Sequence, residues 1–521
     1  MRELEALIGL VLTAVILAAA SRRVGAPYPV FLALGGAVLA FVPGAPSFTV
    51  RPELALALFV APVLLDAAYD ASPRDLRDNW VPVTSLVVVA VGLTTIAVAV
   101  VARTLMPSMS WAPAIALGAV VAPPDAAAAT AVLRQLRPPH RILTVLQGES
   151  LLNDASALLI YRLAVGAVAA NGFSIGAIAP TFLLAVAGSL VAGPAFGWFW
   201  LRVTERVEDV PTAIILQFVS TFGVWIVADR IGLSGVLTMV CYAITVARTS
   251  PERTPARIRI PSYAVWETVV FMLNVLAFVF IGWQIRPILE SLEPAARGRY
   301  FVVAGAVLLT VIVVRIAWQM SFNAVIRWRD RRVGFRPPRP MLRPSVGSGL
   351  VISWSGMRGI VTLAAALALP AAFPFRDLIV LTGFSVVLGT LALQGLTLGP
   401  LLRALDLRDS DPVGQEVTAA RDRALRAGLT ALDHDRSAIA EVVRQEFIAH
   451  LGSLDADRAD EDAGSSGHRD VHRRVLQAAR HAVIAMRASD EIGDDAFHEM
   501  EEQLDWIEMS AGGKEEGDAG D

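Results

Sequence analysis

Along the chain, long apolar stretches alternate with short segments that hold charges, prolines and glycines. Cutting at those gaps leaves thirteen apolar blocks, near residues 4–21, 29–43, 52–69, 80–102, 111–133, 141–169, 176–201, 212–228, 231–247, 263–285, 300–326, 347–372 and 377–402. Each approaches the roughly 20 residues that carry a helix across a ~30 Å hydrocarbon core. The pattern predicts an all-α polytopic membrane protein of about 13 transmembrane helices. The first block begins MRELE, with Glu3 and Glu5 where a cleaved leader has positive charge, so it is read as a retained span. From residue 411 the pattern changes: Leu425, Leu429 and Leu432, then Ile439, Val442, Val443 and Phe447, recur at helical spacing. A polar Gly/Ser linker, DADRADEDAGSSG, follows, then the helix candidates HRRVLQAARHAVIAMR and FHEMEEQLDWIEM and a Gly/Glu/Asp-rich end expected to be disordered. Residues 1–410 thus read as a transmembrane domain and 411–521 as a small helical tail.

Composition agrees, with 55% hydrophobic and 18% charged residues in 521, where soluble domains carry about 25% charge. Mean hydropathy is +0.56. The net charge of -3 conceals a basic body and an acidic tail with 26 acids against 12 bases. The single cysteine, Cys241, excludes an intrachain disulfide. Short loops retain arginine on the cytoplasmic side. Loops 1, 3, 5, 7, 9 and 11, including Arg134, Arg137, Arg336, Arg339 and Arg343, hold 20 arginines, against 8 on the opposite side. That split predicts an outside N-terminus and a cytoplasmic tail.

The informative residues are ionisable ones inside the blocks, each of which costs at least ~2.5 kcal/mol at a helix centre. Four are acids: Asp66 in FVAPVLLDAAYD, Asp125 in GAVVAPPDAAAAT, and Glu149 and Asp154 in QGESLLNDASALLIY. Pro123 and Pro124 interrupt the fifth block, and a break at membrane depth is tolerated only around a polar cavity. Asp125 follows that break. In the sixth block Ser150 and Asp154 share one helix face, with Glu149 and Asn153 on the neighbouring stripe. An anionic, oxygen-rich face suits a small hard cation. Arg358, in ISWSGMRGIVTLAAALALP between Gly356 and Gly359, is the intramembrane base, with Glu149 its natural partner. Glu267 and Arg315 are further mid-block charges, expected to hold helices together.

These motifs resemble the monovalent cation/proton antiporters, in the branch of the bacterial NhaP proteins and animal Na+/H+ exchangers. The resemblance spans all thirteen blocks and rests most on GESLLND. It implies inverted repeats with two interrupted helices, spans 5 and 12. It also implies an ion-binding Asp154 with Ser150 as oxygen ligand, a second aspartate at Asp125, and a third acid at Asp66 where NhaP proteins usually have glutamate. The family's structural salt bridge between spans 6 and 12 falls on Glu149 and Arg358. Where many members have Thr-Asp-Pro, this chain has Pro124-Asp125-Ala126, so any oxygen offered there is a carbonyl of Pro123 or Pro124. Asn153 before Asp154 implies electroneutral exchange.

The implied activity is exchange of Na+, or K+ or Li+, for protons by alternating access, with cation and proton competing for Asp154. The implied setting is a bacterial plasma membrane and a homodimer, with a role in pH homeostasis. No enzyme activity, bound cofactor or nucleic-acid partner is expected. A passive channel or sensor on the same fold is the rival from another class. An intramembrane aspartyl protease is disfavoured, because Tyr69-Asp70 has no Gly-x-Gly-Asp to accompany it.

Overall fold

The structure, a computed structural model, describes residues 2–24, 27–42, 54, 56–69, 71–133, 138–169, 175–334, 344–407, 412–432, 437, 440–445 and 466–512. Of the sequence expectations, those on Arg134, Arg137, Arg336, Arg339, Arg343, Asp70, Ile439, Phe447, linker residues 455–465 and the end at 513–521 lie outside the described residues. Every regular element among the described residues is helical. The body opens with α1 (Arg2–Val24), α2 (Tyr28–Leu39), α3 (Ala57–Tyr69), the short α4 (Pro73–Asp78) and α5 (Trp80–Leu105). Next come α6 (Trp111–Val121), α7 (Ala126–Leu133), α8 (His140–Ala169), α9 (Ile175–Thr204), α10 (Val210–Arg230) and α11 (Gly235–Arg253). It closes with α12 (Ala256–Trp283), α13 (Ile285–Ser291), α14 (Arg297–Val333), α15 (Val346–Trp354), α16 (Ile360–Leu367) and α17 (Arg376–Leu405). The predicted apolar blocks fall on these helices in order, the fifth on α6 and α7 and the twelfth on α15 and α16.

Local sequence explains several starts. Ser72, Asp209 and Ser234 each accept an amide hydrogen bond three residues on, at the beginnings of α4, α10 and α11. Ser345 and Ser348 form a reciprocal capping box at α15. Seven helices among the described residues are long and apolar enough to cross a membrane, and five shorter apolar helices accompany them. Leu183, Leu184 and Val191 on α9 and Leu309 and Val313 on α14 are exposed, as lipid-facing side chains should be.

Lipid tails are as apolar as leucine, so helix association here relies on close packing at small residues. The tightest approach joins α2 to α12. A side chain at Gly36 would strike the Val279 carbonyl, and one at Gly282 would strike the Ala33 carbonyl. The principal core gathers Leu117, Val121, Phe278, Val307, Leu363 and Phe384 from α6, α12, α14, α16 and α17.

The tail helices α18 (Pro412–Thr430), α19 (Ser466–Ala488) and α20 (Asp494–Gly512) bury a core of their own around Val417, Ala424, Val483, Phe497, Met500 and Leu504. This module sits against one end of the body. Arg74 holds Glu416 through two bonds of 2.8 and 2.7 Å, and Arg259 donates from Nε to Asp505 at 2.7 Å. His498 stacks on Tyr69 at 5.9 Å; burial, with Arg487 close by, lowers its pKa to about 4, so the ring is neutral.

Because backbone atoms block a Cβ at Gly282, Gly282→Ala is expected to destabilise the body by about 1–3 kcal/mol. Thermal unfolding in detergent would register this as a lower midpoint; an unchanged midpoint would show that the α2–α12 contact is loose.

Candidate functional site

The site is built where two helices break and meet. Neither Pro123 nor Pro124 has an amide hydrogen to continue the ladder, so α6 stops at Val121 and helix resumes at Ala126. The second break runs from Ser355 to Gly359, between α15 and α16. The two irregular segments bond directly, the Asp125 amide donating to the Met357 carbonyl at 2.7 Å.

Arg358 is 1% exposed and occupies the crossing. Its Nε donates to the Val121 carbonyl at 2.9 Å, Nη2 to Ala122 at 3.1 Å, and Nη1 to Gly356. The Arg358 amide donates to Thr390 Oγ1 on α17 at 3.0 Å. One cation thus takes the carbonyls released at the ends of α6 and α15, where helix dipoles concentrate negative charge. Asp125 follows the first break, directly before α7. Its carboxylate lies against Gly359, immediately before the N-terminus of α16, and a Cβ at Gly359 would overlap it.

The expected pairing of Glu149 with Arg358 is corrected by the structure. Glu149 pairs with Arg315 on α14, Oε1 to Nη1 at 2.6 Å and Oε2 to Nη2 at 2.7 Å, a bidentate bridge with both side chains buried. Arg315 also reaches the Ser353 and Ile352 carbonyls at 3.2 Å each, near the end of α15. Arg358 is already committed to backbone, which leaves Arg315 as the side chain that neutralises Glu149. Arg315 therefore does tie helices together, whereas Glu267 is exposed on a cavity wall and makes no ion pair among the described residues.

That cavity, about 1,070 Å³, reaches from the crossing to the tail-bearing end of the body. Asp66, Asp125, Ser150 and Asp154 all line it, which brings together four of the predicted residues. Asp154 is buried at 7% exposure, and Asp66 and Asp125 are half-buried. The helical offset works as predicted: Ser150 and Asp154 face the cavity, while Glu149 and Asn153 point into packed protein. Asn153 donates from Nδ2 to the Pro124 carbonyl at 2.8 Å, stitching α8 to the first break. Its Oδ1 has no hydrogen-bond partner among the described residues.

Sequence reasoning missed two further features. Gly359 is the cradle for Asp125, and the GMRG segment signalled only a loosened helix. Thr362, in the first turn of α16, lines the cavity with its Oγ1 unpartnered among the described residues. A lone threonine in an apolar helix carries no spacing signal.

A helical membrane bundle with two helices broken at a shared crossing, and carboxylates gathered in a cavity beside it, is the architecture of an ion-coupled secondary transporter. The family is specific: the model described as "Sodium/hydrogen exchanger, transmembrane" matches residues 10–404, and the chain belongs to that family. An uncharacterised Na+/H+ exchanger of Mycobacterium tuberculosis is 31% identical, covering 94% of this chain and 92% of its own. A sodium, potassium, lithium and rubidium/H+ antiporter of Bacillus subtilis is 26% identical over 93% of this chain and 74% of its own. The sodium proton antiporter MjNhaP1 from Methanocaldococcus jannaschii shares the fold, with a TM-score of 0.60 and 17% identity, covering 78% of this chain and 99% of that one.

Breaking a buried ion pair from one side costs about 3–5 kcal/mol, because the other charge is stranded. Glu149→Ala is therefore expected to lower the thermal midpoint in detergent, and Glu149→Ala with Arg315→Ala to regain part of the loss. Pairing Glu149→Ala with Arg358→Ala should regain nothing; recovery there instead would reinstate Arg358 as the partner.

Proposed function

We propose that the protein exchanges a monovalent alkali cation for a proton across a bacterial plasma membrane, with both competing for Asp154. The observation that carries this reading is Asp154 itself, a buried carboxylate lining a large cavity beside the crossing of two broken helices. Protonation removes the charge that holds the cation, so one carboxylate couples the two fluxes without further machinery. Ser150, one turn earlier on the same face, supplies a hydroxyl oxygen, and Asp125 and Asp66 add negative charge around the cavity. Pro124 contributes a carbonyl that is partly engaged by Asn153, which fixes its direction. The Pro-Asp-Ala sequence at the break thus offers backbone oxygen where other members have threonine.

Na+ is the first assignment, with K+ and Li+ as alternatives. The name of the Bacillus relative spans four alkali cations, which supports a site that reads charge and oxygen count before size. Asn153 in place of a second acid supports one-for-one, electroneutral exchange. The excess of arginine in alternate loops supports a cytoplasmic tail of residues 411–521, so the cavity described here is the inward-facing one. A homodimer is carried over from the family resemblance alone, as is a role in pH homeostasis.

Everted vesicles with a preset acid interior, read by a quenched dye and with the membrane potential clamped, test this reading. Na+ or K+ is expected to restore fluorescence in the wild type and to have no effect in Asp154→Asn, with both proteins present at equal level. Wild-type exchange by Asp154→Asn would remove Asp154 from the mechanism. Dequenching that vanishes once the potential is clamped would mark a passive channel.

A further inference from the structure

Helical threonines in this chain commonly spend the hydroxyl hydrogen on the carbonyl four residues back. Thr95 bonds Val91 at 2.8 Å, Thr310 bonds Ala306 at 2.7 Å and Thr390 bonds Val386 at 2.8 Å. Thr268, on the cavity wall, bonds Ala264 in the same way at 2.8 Å. Thr362 has no such bond among the described residues. It is the third residue of α16, so the carbonyl four back belongs to Arg358, in the break before the helix begins. Its side chain is 1% exposed and its Oγ1 is buried in the cavity wall.

Two residues that line the cavity carry a buried polar atom without a partner among the described residues, Trp200 at Nε1 and Thr362 at Oγ1. An indole N–H only donates, whereas a hydroxyl oxygen also offers lone pairs. A buried hydroxyl left unmet is costly, and a bound cation removes that cost. The local charge permits one to approach. Unpaired amides make the start of a helix positive. Here the Asp125 carboxylate lies against Gly359, the residue before α16, and Thr362 follows three residues on. The carboxylate offsets the positive helix start and leaves a hydroxyl oxygen close to an anion. Ser150 and Asp154 line the same cavity from α8, and Asn153 already engages the Pro124 carbonyl at 2.8 Å. Oxygen from the first break is thus partly spent, and the second break brings another on α16.

We propose that Thr362 Oγ1 is a ligand of the transported cation, which is held between α8 and α16 by Ser150, Asp154, Asp125 and Thr362. This rests on the exchange proposed above and adds a ligand to it. Thr362 then bears on which ion is preferred. Attraction between an ion and an oxygen grows as their separation shrinks, so a small ion draws more from a fixed hydroxyl than a large one. Loss of the oxygen weakens Li+ and Na+ more than K+. Because the hydroxyl carries no charge, its loss leaves the competition of cation and proton at Asp154 in place. Affinity falls while the maximal rate is kept.

Thr362→Val removes the oxygen and keeps the methyl that faces Gly383 of α17; Thr362→Ser keeps the oxygen. In detergent, the thermal midpoint of each protein is followed while Li+, Na+ or K+ is added to an alkali-free buffer, a readout that needs no transport. In Thr362→Val the half-saturating Na+ and Li+ concentrations are expected to rise ~10-fold, the scale of one polar contact to a charge, with a smaller rise for K+. Thr362→Ser should stay near wild type. In vesicles, Thr362→Val should raise the apparent KM for Na+ by the same factor at an unchanged maximal rate. Wild-type half-saturation in Thr362→Val overturns the proposal. So does equal weakening of all three ions, which would place the hydroxyl on a carboxylate instead of the ion. A lower midpoint of Thr362→Val in alkali-free buffer, or its failure to fold, would show that the hydroxyl serves the protein's own packing, and overturns it as well. If no alkali cation stabilises wild type, or if Asp154→Asn is stabilised as wild type is, the proposed function fails and the ligand role falls with it.

Discussion

The crossing of two interrupted helices depends on one buried guanidinium. Interrupting a helix at membrane depth releases carbonyls and amides that cost several kcal/mol each when left unmet in hydrocarbon. Arg358 meets three of those carbonyls, from both broken segments, while its own amide is fixed by Thr390. Its charge sits where two C-terminal helix ends concentrate negative potential, and backbone carbonyls accept its side-chain hydrogen bonds. Asp125 occupies the complementary position beside the start of α16 and within the opening of α7. The positive charge is thus met by backbone, and the crossing keeps an irregular path that a continuous helix would close.

From that arrangement follows the division of labour among the remaining charges. Glu149 is free to bind Arg315, a bridge from α8 to α14 that also caps carbonyls of α15. Asn153, one turn further along α8, ties the same helix to Pro124. Two fastenings on one stripe therefore orient the adjacent stripe, and that second stripe presents Ser150 and Asp154 to the cavity. The cavity that opens from the tail-bearing end to these two side chains has a volume of about 1,070 Å³, room for on the order of thirty waters.

Much of this was legible in the residues because lipid is so intolerant a solvent. Apolar blocks marked the helices, a proline pair marked the first break, and the few acids within blocks marked the cavity. The same intolerance says that a charge must be compensated, not by what. Glu149 has two buried arginines within reach, and both the family resemblance and the expectation that a cation seeks a carboxylate point to Arg358; the free carbonyls of a broken helix are an alternative that no spacing rule reveals. Gly359 was visible as a glycine but not as the seat of Asp125, since that depends on how two distant segments cross. Contacts of the tail, such as Arg259 with Asp505, join positions 246 residues apart and leave no periodic trace.

The same fastenings constrain how the cavity can change its exposure. The amide of Asp125 is bonded across the breaks to Met357, Arg358 grips both, Asn153 holds α8 to the first, and Arg315 holds α8 to α14 beside α15. These elements share hydrogen bonds within buried surroundings, so sliding one against another would strand several polar groups at once. On the far wall of the cavity, α3, α11 and α12 face them mainly with apolar and aromatic side chains such as Phe59, Tyr242 and Phe271. Apolar surfaces slide at lower cost because no directional bond must break. Motion that redirects the cavity should therefore carry α8 and the crossed segments as one body against that wall, with Asp154 moving along with its fixed surroundings.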